Sequence, residues 1–359
     1  MGLAESIKKA PEIRQKGKTK KVLKKPLTLS DKGRILNSSL MSDIQQTTYN
    51  KQAQSLRDLQ DSQHNTHTLR QANLNNEEIL KMKNITIQEL KNTATRMRMK
   101  VVDMIYKAQS GHPGGSLSAA DFVTACYFKY MNVDPKDPRW ADRDRMVLSK
   151  GHVCPIQYAC LATVGFFPEE VLDTLRKEGS MLQGHPSMNK CPGIDISTGS
   201  LGQGLACAAG MALAGKLDKK DYKVFCVVGD GEAQEGEIWE AANSAHKYSL
   251  DNLITFVDFN NLQLDGTCDE IMPNGDLAEK FRAFGWETIE IDGHSMEEIV
   301  AALDKCYASR NGKPKCICGK TVKGKGVSFM ENQCGWHGVA PNKEQYEQAM
   351  AELKAQLTD

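Results

Sequence analysis

Five short runs rich in β-forming apolar residues alternate with segments of helical periodicity. They are Arg145–Leu148, Lys223–Val228, Leu253–Phe259, Glu287–Ile291 and Lys315–Lys320. Helical stretches lie between or beside them, among them Leu201–Leu213, Ile238–Lys247, Leu277–Phe284 and Met296–Ala308. Before them, Ile85 to Ala108 places Leu90, Met97, Val101, Val102 and Ile105 on one stripe, and a short helix is expected near Glu344–Leu357. Strands alternating with helices predict right-handed crossovers and an α/β fold: a mostly parallel sheet covered by helices on both faces. Ligands in such sheets bind outside the carboxyl ends of the strands, so functional residues are sought there.

The strand Lys223–Val228 runs directly into Gly229-Asp230-Gly231, which puts an uncrowded carboxylate at a strand's carboxyl end. The next strand, Leu253–Phe259, ends in Asn260-Asn261-Leu262. Neighbouring strand ends would bring Asp230 and Asn260 together. One carboxylate, one amide oxygen and one backbone carbonyl make half an octahedron suited to Mg²⁺, with phosphate oxygens and water completing it. The same residues would also serve two ordinary turns. Thr198-Gly199-Ser200-Leu201-Gly202-Gln203-Gly204 opens a helix of small residues, where backbone N–H groups and the helix dipole favour an anion. Its glycine order is not the dinucleotide fingerprint, and Pro314 stands where a phosphate-binding loop ending in Gly319-Lys320-Thr321 would need its first glycine.

Three histidines sit in glycine-flanked segments: Gly111-His112-Pro113-Gly114-Gly115, Gly151-His152 and Gly184-His185-Pro186. A fourth, His337, follows the glycine-rich Lys323–Gly326 within Trp336-His337-Gly338. All four are expected in loops, where imidazoles can move protons near neutral pH. No Cys/His pair has the spacing of a zinc site. His246, inside a helix, and His294, just before one, are read as structural, and Cys316 and Cys318 as packing on one face of a strand.

In this order the motifs resemble those of transketolase. Gly229-Asp230-Gly231 followed by Asn260-Asn261 is similar to the general thiamine diphosphate motif. Ser110–Ser118, Ser149-Lys150-Gly151-His152, Gly184-His185-Pro186 and Gly199–Gly204 resemble the narrower signature of the transketolase N-terminal half, over roughly residues 83–345. The resemblance implies a thiamine diphosphate-binding fold with two cofactors, thiamine diphosphate and Mg²⁺. It implies Asp230, Asn260 and the backbone carbonyl of Leu262 as metal ligands. Gly199, Leu201, Gly229 and Gly231 match cofactor-contacting positions. His152 and His337 match histidines near the diphosphate and thiazolium. His112 and His185 match histidines on the sugar hydroxyls that take part in proton transfer, so His112, His185 and His337 are the expected catalytic residues, and His112 is expected to contact the cofactor as well. Glu235 matches a glutamate at a subunit interface. Ser200 departs from the family, which usually has Pro there.

The implied reaction moves a two-carbon ketol unit from a ketose to an aldose, both phosphorylated. The cofactor supplies the carbanion and electron sink, and the protein supplies orientation, Mg²⁺ and proton transfers. In the family a pyrimidine-binding domain follows the first domain; this sequence carries no second strand–helix repeat after Thr321. The expected partner is therefore a C-terminal transketolase subunit bearing that domain, in an α₂β₂ assembly, and activity is expected only with it. The alternatives are a subunit of another two-chain thiamine enzyme, either a 2-oxo-acid dehydrogenase E1 component or a deoxyxylulose-phosphate synthase-like protein, and a non-catalytic regulatory subunit.

Residues 1–81 follow another regime. Tyr49 is their only aromatic residue, and residues 1–34 hold 11 Lys and Arg against three acids. Such a segment buries too little apolar area to offset ordering, so a disordered or loosely helical extension is expected, with His64 and His67 inert and a domain over 82–359. Met1–Ser6 fits the loose myristoylation pattern, and Met82 is an alternative start. The other 325 residues hold 35 basic and 42 acidic side chains, which gives no general case for nucleic-acid binding. No apolar run approaches the about 18 residues of a membrane span. The 11 scattered cysteines, without a CxxC pair, suggest a reducing cytoplasm.

Overall fold

In the computed structural model, residues 84–358 are described. The expectations for residues 1–81 lie outside them. The described chain opens at a capping box: Thr86 accepts from the Glu89 amide while Glu89 reaches back to the Thr86 N–H, starting α1 (Ile87–Ala108). The elements that follow are α2 (Pro113–Ser118), α3 (Ala120–Ala125), β1 (Arg145–Leu148), α4 (Cys154–Val164), α5 (Gln203–Leu217) and β2 (Val224–Gly229). Then come α6 (Gly236–Lys247), β3 (Leu253–Phe259), α7 (Cys268–Ile271), α8 (Leu277–Ala283), β4 (Glu287–Asp292), α9 (Met296–Ala308), β5 (Lys315–Lys320) and α10 (Lys343–Ala355).

The five strands form one all-parallel sheet in the order β1-β2-β3-β5-β4. Alternation along β2 divides its side chains between two cores. Phe225 and Val227 join Val101, Ile105, Phe122, Tyr158 and Leu303 from α1, α3, α4 and α9. Val224, Cys226 and Val228 join Leu205, Ala208, Ile238, Ala242 and Phe281 from α5, α6 and α8. The sheet is thus covered on both faces, as expected. The predicted α1 stripe of Leu90, Met97, Val101, Val102 and Ile105 is buried. Cys316 and Cys318 lie together on one face of β5, both buried, with sulfurs 3.8 Å apart. No helix among the described residues is long and apolar enough to cross a membrane.

This register brings the site together. Gly229 pairs with Asp258, so Asp230 and Asn260 emerge side by side. β5 lies next to β3 and delivers Thr321–Lys323 to the same rim. β1, on the other side of β2, ends at Leu148 and leads into Ser149-Lys150.

Candidate active site at the carboxyl ends of the strands

The turn after β2 and the turn after β3 are tied through Asp230. Its carboxylate accepts from the Gly231 amide at 2.8 Å and from the Asn261 amide, and its backbone carbonyl accepts from Asn274 Nδ2 at 2.9 Å. Asn261 sits at φ +58, a left-handed conformation that Asn tolerates, and this turns the chain back. Asn260 Oδ1 accepts from the Leu262 amide at 3.1 Å. Burial, with the charge of Asp258 nearby, pushes the Asp230 carboxyl up to about 6. A carboxylate held in this way gains from a cation beside it.

A cationic side chain stands at the carbonyl end of this set. Lys323 Nζ lies 3.1 Å from Leu262 O, 3.0 Å from Gln263 O and 2.9 Å from His337 Nδ1. Three acceptors match the three protons of an ammonium. The charged lysine donates to Nδ1, so His337 keeps its proton on Nε2. Burial and the Lys150 charge pull Lys323 down to about 8, which leaves it mainly protonated near neutral pH.

The four singled-out histidines converge. The rings of His112, His152 and His337 are 5.0, 5.1 and 5.4 Å apart pairwise, and His185 is 6.5 Å from His112. Two of the expected loop positions differ in detail. His112 caps the amino end of α2, which Pro113 starts, and His152 lies within a 3-10 turn, Gly151–Val153, that leads into α4, whose second residue is Pro155. Burial and neighbouring cations lower all four. His112 falls to about 4 (burial, then Arg176), His337 to about 4 (burial, then Lys323) and His152 to about 2 (burial, then Lys150). His185 is lowered by burial and Arg176. Near pH 7 the imidazoles are neutral and the fixed charge around them comes from lysine and arginine; Lys150 is neutralised by Asp258, while Lys323 and Arg176 are held by neutral partners and can meet an arriving anion.

Glycines allow these parts to approach. A Cβ on Gly151 would lie 2.7 Å from the Thr198 carbonyl carbon, and one on Gly199, at φ +146, would lie 2.8 Å from the His185 ring. The Thr198–Gly204 segment therefore crosses the end of β1 between His152 and His185. It then turns at Gly202 into α5, two residues later than the expected start at Leu201. Leu201 is partly exposed on this segment, and Glu235 is exposed at the start of α6, where a Cβ on Gly202 would meet it at 3.0 Å.

Sequence reasoning did not single out the residues that hold this frame. Asp258, fully buried at the end of β3, accepts from Lys150 Nζ, from Ser118 Oγ at 2.5 Å and from Thr321 Oγ1. Glu232, equally buried, accepts from Ser149 Oγ, from the Gly202 amide at 2.9 Å and from the Gly229 amide at 3.1 Å. Arg176 lies 3.1 Å from Ser110 Oγ and 3.4 Å from His112 Nδ1, its guanidinium occupying the space a Cβ of Gly184 would take. Lys150 and Lys323 stand inside the quoted glycine motifs, which was their available signal. Asp258 and Glu232 had none.

The thiamine diphosphate-binding domain description of transketolase matches residues 89–357. The chain belongs to the transketolase family. It is 46% identical over 266 residues to a 6-deoxy-6-sulfo-D-fructose transketolase subunit of Clostridium sp. (strain MSTE9), covering 74% of this chain and 96% of that protein. It is 42% identical to an apulose-4-phosphate transketolase subunit of Phocaeicola vulgatus, covering 76% and 96%. The mouse transketolase is 43% identical, but the match takes in only 43% of its length. Among solved structures, the transketolase of Campylobacter jejuni superposes with a TM-score of 0.71 at 35% identity, over 75% of this chain and 43% of that one. The expected family and the thiamine diphosphate-binding half of it are thereby established.

Proposed function

We propose that this chain is the diphosphate- and metal-holding subunit of a two-chain transketolase. The observation that carries the reading is that Asp230 and the Asn260–Leu262 turn are tied together at adjacent strand ends, Asp230 accepting from the Asn261 amide and Asn260 Oδ1 from the Leu262 amide, with Lys323 on the Leu262 carbonyl. The donor set is all oxygen with one carboxylate, as suits Mg²⁺ sharing its coordination with phosphate. The Lys323 ammonium stands against one carbonyl of that set, Leu262 O, and against the neighbouring Gln263 O, a cation where a diphosphate would bring negative charge.

In this reading Asp230, Asn260 and Leu262 hold Mg²⁺. Gly199, Leu201, Gly229, Gly231, His152, His337 and Lys323 hold the cofactor's diphosphate end. When bound, thiamine diphosphate supplies the carbanion and electron sink. His112 and His185 orient sugar hydroxyls and carry protons as neutral imidazoles. Glu235, exposed at the start of α6, meets another subunit. The domain occupies residues 82–359, with residues 1–81 an extension, and the protein works in the cytoplasm.

The partner carries the pyrimidine-binding domain, in an α₂β₂ assembly. Two relatives whose names call them subunits are matched over 96% of their length, whereas the mouse transketolase is matched over 43%. The substrates are a ketose donor and an aldose acceptor bearing anionic groups, phosphate in the first instance. The relatives' names span a sulfonated and a phosphorylated sugar. The test is ketol transfer with saturating thiamine diphosphate and Mg²⁺, using this chain alone and with its co-purified partner. Silence relieved by the partner supports the reading, and full turnover by the isolated chain refutes it.

A further inference from the structure

His294 stands beyond the end of β4, and both of its ring nitrogens are committed. Nδ1 lies 2.8 Å from Asp121 Oδ2, and Nε2 lies 2.8 Å from the backbone nitrogen of Val322. A backbone N–H can only donate, so Nε2 is the acceptor. A carboxylate can only accept, so Nδ1 carries the proton. The ring is therefore neutral and in a single tautomer. Asp121 on α3 is itself gripped by Arg98 of α1, through Nη1 at 3.0 Å and Nη2 at 2.5 Å, while Arg98 Nε donates to Leu117 O at 3.2 Å. Arg98 and Asp121 are buried, which holds the geometry rigid.

Val322 immediately precedes Lys323, whose ammonium reaches Leu262 O, Gln263 O and His337 Nδ1. The residues on either side are also tied. The Thr321 amide donates to Phe259 O at 2.9 Å, and the Gly324 amide donates to Gly114 O at 2.9 Å. Between these two anchors, the Val322 amide is the backbone donor next to the lysine, and it is satisfied by a side chain from another element.

We propose that His294 is a positioning residue for the cofactor site: backed by Asp121 and Arg98, it fixes the Val322 amide and so aims Lys323 at Leu262, Gln263 and His337. This rests on the reading that Lys323 faces the diphosphate. A histidine that only fills space beside α9 would affect stability alone.

The test compares His294→Gln, His294→Asn and Lys323→Gln in the full chain, by calorimetric titration with thiamine diphosphate and Mg²⁺ and by thermal melting. Gln retains an acceptor within reach of Val322. Asn retains the donor to Asp121 but is too short to reach that amide. Losing one such bond predicts an about 3- to 10-fold loss of affinity in His294→Asn, with His294→Gln within about 2-fold of wild type. The two variants should melt at similar temperatures. Equal affinities in the two, or losses that follow the melting temperature, overturn the proposal. If Lys323→Gln binds as wild type, the reading of Lys323 fails, and the proposal with it. If Lys323→Gln binds weakly while His294→Asn binds as wild type, the proposal alone fails. Ring ¹⁵N NMR of the wild-type chain tests the geometry without ligand: the proton is expected on Nδ1, and a proton on Nε2 overturns the proposal.

Discussion

Replacing Glu232 by Gln keeps the volume of the side chain and removes its charge. The carboxylate receives three hydrogen bonds, Ser149 Oγ and the Gly202 amide on one oxygen and the Gly229 amide on the other. An amide has one oxygen, so in either orientation its NH₂ faces a buried donor. The change loses at least one charge-assisted bond, worth about 1.5–3 kcal/mol, and leaves a buried donor unsatisfied at about 1–3 kcal/mol. Against this, burial raises the Glu232 carboxyl, so its ionised form is held at a cost that Gln avoids. The net expectation is a destabilisation of about 2–4 kcal/mol. The bonds join the ends of β1 and β2 to the amino end of α5, so thiamine diphosphate affinity should fall as well. Urea unfolding and calorimetric titration measure the two effects. A variant within about 0.5 kcal/mol of wild type and with unchanged affinity would refute the reasoning.

Two further changes separate chemistry from scaffold. His185→Ala in the reconstituted complex is expected to lower kcat/KM by about 10²–10⁴-fold with cofactor affinity near wild type, and loss of cofactor instead would move His185 to the diphosphate end. At the far side of the sheet, Glu287 accepts from the fully buried Lys315 at 2.8 Å and from Ser309 at 2.8 Å. Burial opposes this, yet Lys315 and Ser309 hold its carboxyl at about 2, below the ordinary 4.5. Because the folded value is the lower one, this stability is present above about pH 4.5 and drains as the pH falls towards 2. Glu287→Ala should cost about 3–5 kcal/mol near neutrality by leaving the buried Lys315 ammonium with only the neutral acceptors Ser309 and Asn311, and should flatten that part of the acid loss in urea melts across the window.

The strands were legible in the sequence because they are short apolar runs bounded by turns and charges. β1, β3 and β5 have the expected limits, and β2 is displaced by one residue at each end. What escaped was the helical structure over residues 113–125. α2 and α3 are buried on every side, so no apolar stripe marks them, and the glycines of Pro113–Ser116 read as loop. In the site, residues embedded in glycine-rich motifs were visible as types. Their joiners were not. Lys150 meets Asp258 across 108 positions, and Ser149 meets Glu232 across 83. Only the parallel register makes them neighbours, and spacing along the chain carries no trace of it.

The central claim is that adjacent strand ends form a platform for a diphosphate with Mg²⁺. Calorimetric titration of the purified chain with thiamine diphosphate, with and without Mg²⁺, and then with the Asp230→Ala variant, tests it most directly. Binding that requires Mg²⁺ and is lost with the Asp230 carboxylate is the predicted result. Metal-independent binding, or wild-type affinity in Asp230→Ala, would contradict it.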